Sequence, residues 1–293
     1  IIVEFTVEKN TGRKMKTYDR AEFLKLCEET IEEFTESMRN TARRVGLSMD
    51  YANEYLTDSP DYRKVTQTIF TELFKSGAIV EDLRPNIYDP VEGTTIADAE
   101  VERLQRRTKL VDVKWKTEDG EELIISTTRP ELICACGIVV VHPDDDRYRH
   151  LIGKRAMLPL PVHGREISVE ISTHPSVKSE FGSGVLMVCS FGDQNDVSIF
   201  RELGLTPFQA IDLDGCMTEI AGPFAGMKVA EARKSVIEYL EENGKVSQIV
   251  EKEQEVPVSE RGKNPVEIIL LKEWYVRQTH IQDRMIELSN EIE

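Results

Sequence analysis

Between Arg20 and Arg44 the apolar positions Phe23, Leu24, Leu26, Cys27, Ile31, Phe34 and Met38 recur at spacings of three and four among acidic residues. That rhythm predicts an amphipathic helix with one face turned to a core. Asp61 to Ser76 repeats it through Val65, Ile69, Phe70, Leu73 and Phe74, and Gly77 stands where a helix C-cap is expected. The rhythm then changes. Leu110 to Trp115, Glu122 to Ser126, Gly137 to Val141 and Arg165 to Ile171 are short runs rich in β-branched residues, broken by Asp-Gly or Pro-Asp turns. Asp119-Gly120 between the first two predicts a hairpin. Helices are expected again from Asp193 to Glu202 and from Val229 to Glu242, the second closed by Asn243-Gly244. An apolar run from Val266 to Leu271 precedes Trp274-Tyr275-Val276 and a final helix without a stop signal, so the chain is expected to belong to something longer.

These changes of rhythm divide the chain into three zones: a helical segment over 1–95, a strand-dominated domain over 96–250, and a closing segment over 251–293. The fold class expected is mixed α/β.

At 293 residues and 40% hydrophobic content the chain has enough apolar material for a sizeable core. A formal charge of −16 argues against indiscriminate adhesion to nucleic acid, which needs clustered Lys and Arg. No run approaches the roughly 20 apolar residues of a membrane span. No membrane partner is expected, and the default location is cytoplasmic. The five cysteines, at 27, 134, 136, 189 and 216, are scattered and odd in number, so they read as packed thiols rather than a disulfide framework. Cys134 and Cys136 alternate on what reads as a strand. The five histidines show no ligand spacing, and no metal is expected.

Two segments concentrate candidate chemistry. Thr127-Thr128-Arg129-Pro130-Glu131-Leu132 and Phe181-Gly182-Ser183-Gly184-Val185 each set small residues, a Pro or glycines beside few charges, as suits a backbone lying close to a polar ligand. The second leads into Phe191-Gly192-Asp193-Gln194-Asn195-Asp196. Asp193 and Asp196 open the expected helix, where an acidic first turn is also favoured by the macrodipole and by capping alone. The glycines also suit a plain turn or bulge. Arg103 to Lys109 gathers four cations, read either as a phosphate contact or as a solvated strand or helix edge.

Around these segments, Val141-His142-Pro143-Asp144-Asp145-Asp146-Arg147-Tyr148, His150 to Lys154 and Leu158-Pro159-Leu160 complete a collinear pattern. It resembles the editing domain of valyl-tRNA synthetases, and the stretch Cys189-Ser190-Phe191-Gly192-Asp193 resembles the archaeal variant. Met49 to Asp58, Tyr62 to Phe70 and Ala97 to Glu102 resemble the polypeptide that links the synthetic core to that domain. The resemblance implies a strand-rich, β-barrel-like editing domain with peripheral helices, a helical connecting segment before it and a return connection after it. The sequence has neither His-Ile-Gly-His nor Lys-Met-Ser-Lys-Ser, the signatures of the ATP-using core. ATP and Mg would serve that core, and no cofactor is expected for this segment.

What the resemblance implies is hydrolysis of the ester joining threonine to the 3′ end of the tRNA for valine. An apolar pocket rejects threonine in favour of valine by only about a hundredfold, a figure established for this very pair of amino acids, so a second site is needed. By resemblance Asp196 anchors the substrate ammonium and Asp193 lines the side-chain pocket, the two catalytic-site carboxylates. Thr127, Thr128, Arg129, Pro130, Glu131 and Leu132 form one binding wall, Arg129 holding the terminal adenosine or orienting the ester. Phe181, Gly182, Ser183 and Gly184 form the other, their N–H groups open to an oxyanion, with Leu186, Met187 and Cys189 on the adjoining strand. A positioned water is the expected nucleophile. Leu132, Met187 and Gly192 stand where relatives carry polar residues, which leaves Asp193 as the leading sensor of the threonine hydroxyl. The expected partners are the acceptor end of the tRNA and the rest of the synthetase, with a monomer as the assembly. Two alternatives stay open: an acceptor-end binding module without catalysis, and an editing domain of isoleucyl or leucyl type.

Overall fold

The computed structural model describes residues 2–292. The chain divides into two compact units between Leu73 and Phe74.

The first unit is helical: α1 (Ile2–Thr11), α2 (Arg20–Arg44) and most of α3 (Pro60–Lys75). Helix α2 starts where the sequence rhythm starts because Asp19 caps it, its carboxylate accepting the Ala21 and Glu22 N–H groups. Val7, Phe23 and Cys27 form a small buried cluster, flanked by Val3, Tyr18 and Leu26. Leu24, Ile31, Phe34 and Met38 on α2 remain exposed.

The second unit holds two sheets. Strand β1 (Ile79–Asp89) lies between β2 (Thr94–Thr95) and the late strand β10 (Glu267–Val276), with which it pairs antiparallel from Ile79 opposite Val276 to Tyr88 opposite Glu267. Residues 1–95 are therefore not helical throughout. The charges and Pro85 in β1 mask the period of two from which strands are read.

The larger sheet has seven strands. Its path is β4 (Glu122–Thr127), β3 (Val101–Thr117), β6 (Arg155–Met157), β7 (Ser168–Thr173), β5 (Cys136–Val141) and β8 (Val185–Cys189), with β9 (Val246–Ser259) also paired to β3. Pairing is antiparallel except between β5 and β7. Asp119-Gly120 lies in the β3–β4 connection as the sequence predicts. The sheet curls into a half-barrel whose edge strands β4 and β8 approach each other. Inside it Val111, Val113, Trp115, Ile125, Val139, Val141, Ile171, Met187 and Cys189 share one buried cluster. Each aliphatic side chain so buried stabilises the fold by about 1.5–3 kcal/mol. The fold is thus mixed α/β and strand-rich.

Helices α4 (Gln194–Glu202) and α5 (Val229–Glu242) flank this sheet, and β10 (Glu267–Val276) is followed by α6 (Gln282–Glu291). Strand β9 runs unbroken through residue 250, where the sequence rhythm suggested a change of zone. The cations of Arg103 to Lys109 lie on β3 in this ribbon, with Arg107 opposite Glu253 and Lys109 opposite Glu251. Acidic neighbours offset their field, as a solvated strand edge requires. Cys134 is not on a strand: Pro130 opens a 3-10 turn through Ala135, and β5 begins at Cys136. Both thiols are buried and free. Among the described residues no helix is long and apolar enough to cross a membrane.

Candidate functional site

The end of β4 is the common neighbour of the two segments singled out in the sequence. Ser126 Oγ donates to Asp112 Oδ1 at 2.5 Å and accepts the Ser183 N–H at 3.2 Å, joining β4 to the turn before β8. Gly182 adopts φ +56° and packs so closely on Ser126 that an added β-carbon would stand 2.4 Å from Oγ. Only glycine satisfies both the left-handed backbone and the contact. On the far side of this turn Tyr148 donates to the Ser183 carbonyl at 2.7 Å and Arg147 to the Ser179 carbonyl at 3.0 Å. The motif at 142–148 thereby braces the glycine turn.

That turn is tightly self-bonded. The N–H groups of Phe181, Ser183, Gly184 and Val185 donate to Lys178 O, Ser126 Oγ, Phe181 O and Ser183 Oγ. The expectation of N–H groups open to an oxyanion is therefore corrected for three of the four residues named, Phe181, Ser183 and Gly184, which have acceptors within the protein. Phe181 is exposed, and Lys252 Nζ stands 4.2 Å from its ring centroid.

Downstream, β8 runs from Val185 to Cys189 and a turn leads into α4. Asp193 caps that helix, its Oδ1 accepting the Asp196 N–H at 2.8 Å. The capping reading thus holds for Asp193, whose side chain is exposed at the surface. Asp196 is 8% exposed, and its Oδ2 accepts the Cys189 N–H at 3.2 Å. Among the described residues it forms no ion pair. Burial pushes its carboxyl well above the ordinary carboxylate range and Asp193 adds to the rise, against the pull of the Cys189 N–H and the Arg129 charge. A buried carboxylate without an ion-pair partner among the described residues is costly to keep ionised.

Arg129 lies beside this turn, in the middle of an ion network. Its Nε donates to Glu131 Oε1 at 3.0 Å, Nη2 to Glu267 Oε2 at 2.7 Å, and Nη1 to the Gly192 carbonyl at 3.4 Å. Arg233 of α5 holds the other side of Glu131 through two bonds of 2.9 and 2.7 Å. Burial works against both charges. Glu267 and Glu131 nevertheless raise the Arg129 guanidinium, and Arg129 and Arg233 hold the Glu131 carboxyl below its usual range. Glu131 is wholly enclosed, so it acts on the site through Arg129.

The remaining residues fall unevenly. Thr127 is buried and its hydroxyl accepts the Arg129 N–H at 3.0 Å, Thr128 is half-buried, and Pro130 starts the 3-10 turn. Leu132 and Met187 are core residues, 3% and 7% exposed, on the same buried cluster as Cys189. Leu186 faces the other way, against the cluster of Ile138, Val140 and Phe200. The Cys136 thiol beside it and burial push the Cys189 thiol far up, so it stays protonated rather than nucleophilic. Arg233 and Glu267 were not named from the sequence, and Tyr148 was named only within the 141–148 segment, without a role. They lie 102, 138 and 35 residues from their partners, and no local spacing announces such pairs. Among the described residues no three His, Cys, Asp or Glu side chains gather to hold a metal.

The family of tRNA synthetases of class I (I, L, M and V) matches residues 1–293. The chain is 41% identical to a valine–tRNA ligase of Nanoarchaeum equitans, covering 100% of this chain and 38% of that protein. It is 41% identical to one of Aeropyrum pernix, with 96% and 34% covered, and 40% identical to one of Methanocaldococcus jannaschii, with 99% and 33% covered. The chain thus spans about a third of the length of these relatives.

Proposed function

The chain belongs to the class I tRNA synthetases (I, L, M and V), and on that footing we propose that it is the editing part of a valine-type enzyme, hydrolysing threonine from the tRNA for valine. The observation that carries this reading is the Asp196 carboxylate, buried at the end of β8 and without an ion-pair partner among the described residues. A free amino-acid ester brings the missing cation as its α-ammonium group. Binding that group satisfies the charge of Asp196 and anchors the ester beside the end of β8.

In this mechanism Asp196 binds the ammonium, and Asp193, with one oxygen on the helix N-terminus, offers its other oxygen to the threonine hydroxyl. Valine lacks that hydroxyl and leaves the polar group unpaired, at a cost of about 1–3 kcal/mol. Leu132 and Met187 lie in the core and supply apolar backing for the side chain. Arg129 keeps two of its five N–H hydrogens beyond its three protein contacts, and in this reading they serve the terminal nucleotide. A water attacks the ester carbonyl carbon, the acyl C–O bond to the ribose breaks, and the proton given up by the water ends on the ribose oxygen, leaving free threonine and uncharged tRNA. Amino-acid activation belongs to a synthetic core that uses ATP and Mg, and the rest of that synthetase and the tRNA acceptor end are the proposed partners of a cytoplasmic monomer.

The test is release of radiolabelled threonine from threonyl-tRNA for valine, by the chain alone and by a full-length synthetase that carries it. Release of threonine with retention of valine supports editing. Tight binding of the acceptor end without release would support a binding module instead.

A further inference from the structure

We propose that Glu267, on β10, is a positioning residue for Asp196: through Arg129 it fixes the Gly192 carbonyl, and with it the turn against which the Asp196 carboxylate stands. The inference rests on the editing reading above. Its path is short and fully connected. Glu267 Oε2 accepts from Arg129 Nη2 at 2.7 Å, and Arg129 Nη1 donates to Gly192 O at 3.4 Å. A β-carbon on Gly192 would stand 2.2 Å from Asp196 Oδ2, so any shift of the Gly192 backbone moves the wall of the carboxylate's site.

A core does not require such a network. Charges enclosed in this way repay their desolvation poorly, and apolar side chains of similar size would pack as well. Glu131 is wholly buried between Arg129 and Arg233, and Glu267 is 7% exposed. Of the three contacts of Arg129, two are with these carboxylates and the third is the Gly192 carbonyl. The network therefore delivers one oriented donor to the Asp196 turn. Glu267 comes from the strand that pairs with β1, so the small sheet and the curled sheet meet at this site within the second unit. This ties the closing segment, 251–293, to the geometry of the pocket.

The experiment compares steady-state threonine release by the full-length enzyme with Glu267→Gln, Glu267→Asp and, as a control for lost stability, Ser259→Ala. Ser259 bonds Asp89 in a buried pair on β9, outside the network. Glu267→Gln is expected to lower kcat about tenfold or more with KM changed by less than about threefold, and Glu267→Asp to recover part of the loss. Ser259→Ala is expected to keep kcat within about twofold. A kcat of Glu267→Gln within about twofold of the unaltered enzyme overturns the proposal, as does an equal loss in Ser259→Ala. If Glu267→Gln does not fold, Glu267→Asp alone decides: its retracted carboxylate must lower kcat by about threefold or more at unchanged KM. An unaltered enzyme that releases no threonine from any ester would instead sink the editing reading, and this inference with it.

Discussion

The backbone of Gly192 lies so close to the carboxylate of Asp196 that a β-carbon there would stand 2.2 Å from Oδ2. The glycine makes room for a buried acid to accept the Cys189 N–H at the foot of β8. Gly192→Ala forces the carboxylate aside. We expect it to abolish threonine release and to cost about 1–3 kcal/mol of stability, read from urea denaturation beside a deacylation assay. A variant with full activity would show that the carboxylate's place is unimportant.

The raised Asp196 carboxyl has a consequence for stability with a fixed sign. Its folded value lies above the unfolded one, so it favours the fold most below pH 3.8 and that contribution is lost as pH rises toward the folded value. Asp196→Asn keeps an acceptor for the Cys189 N–H and does not ionise. The variant is expected to resist urea better than the unaltered chain, by a margin that widens as pH rises above 3.8 toward the folded value, while losing activity. A margin that stays flat or reverses contradicts the burial argument.

Asp193 combines a helix cap with the proposed sensing of a hydroxyl, and two substitutions separate them. Asp193→Ala removes the acceptor for the Asp196 N–H and should cost about 1 kcal/mol. Asp193→Asn keeps the cap and should leave the melting temperature nearly unchanged. If Asp193 senses the threonine hydroxyl, the Asn variant narrows the ratio of threonine to valine release. A preserved ratio would confine Asp193 to capping.

Ser126 stitches the two edges of the curled sheet. Ser126→Ala leaves the Ser183 N–H without an acceptor and frees Asp112, with an expected loss of about 1–3 kcal/mol. Hydrogen exchange of the amides at 181–185 should accelerate in the variant. Unchanged protection there would place the closure of the half-barrel elsewhere.

How much of this was legible in the sequence depends on the range of the interactions. Helices α2 and α5 were read to their ends because the apolar period is bounded locally, by Asp19 before α2 and by Asn243-Gly244 after α5. The Asp119-Gly120 hairpin was equally local. Strand β1 was not, since its pairing with β10 joins residues as distant as Ile79 and Val276 and its charges hide the alternation. Cys134 was misread because the 3-10 turn after Pro130 imitates alternation over three residues. At the site, the glycine turn stood out by composition, whereas the role given to Asp196 came from the family resemblance and not from its spacing. Arg129 was read as facing the ligand, although much of its donor capacity serves Glu131, Glu267 and Gly192. Those partners arrive from α5 and β10 and only folding brings them together.

The most direct measurement is the rate of amino-acid release from threonyl-tRNA and valyl-tRNA for valine, compared between the unaltered enzyme and Asp196→Asn. The account predicts rapid release of threonine, little release of valine, and loss of threonine release in the folded variant. Equal release of both amino acids, or undiminished threonine release by Asp196→Asn, would contradict it.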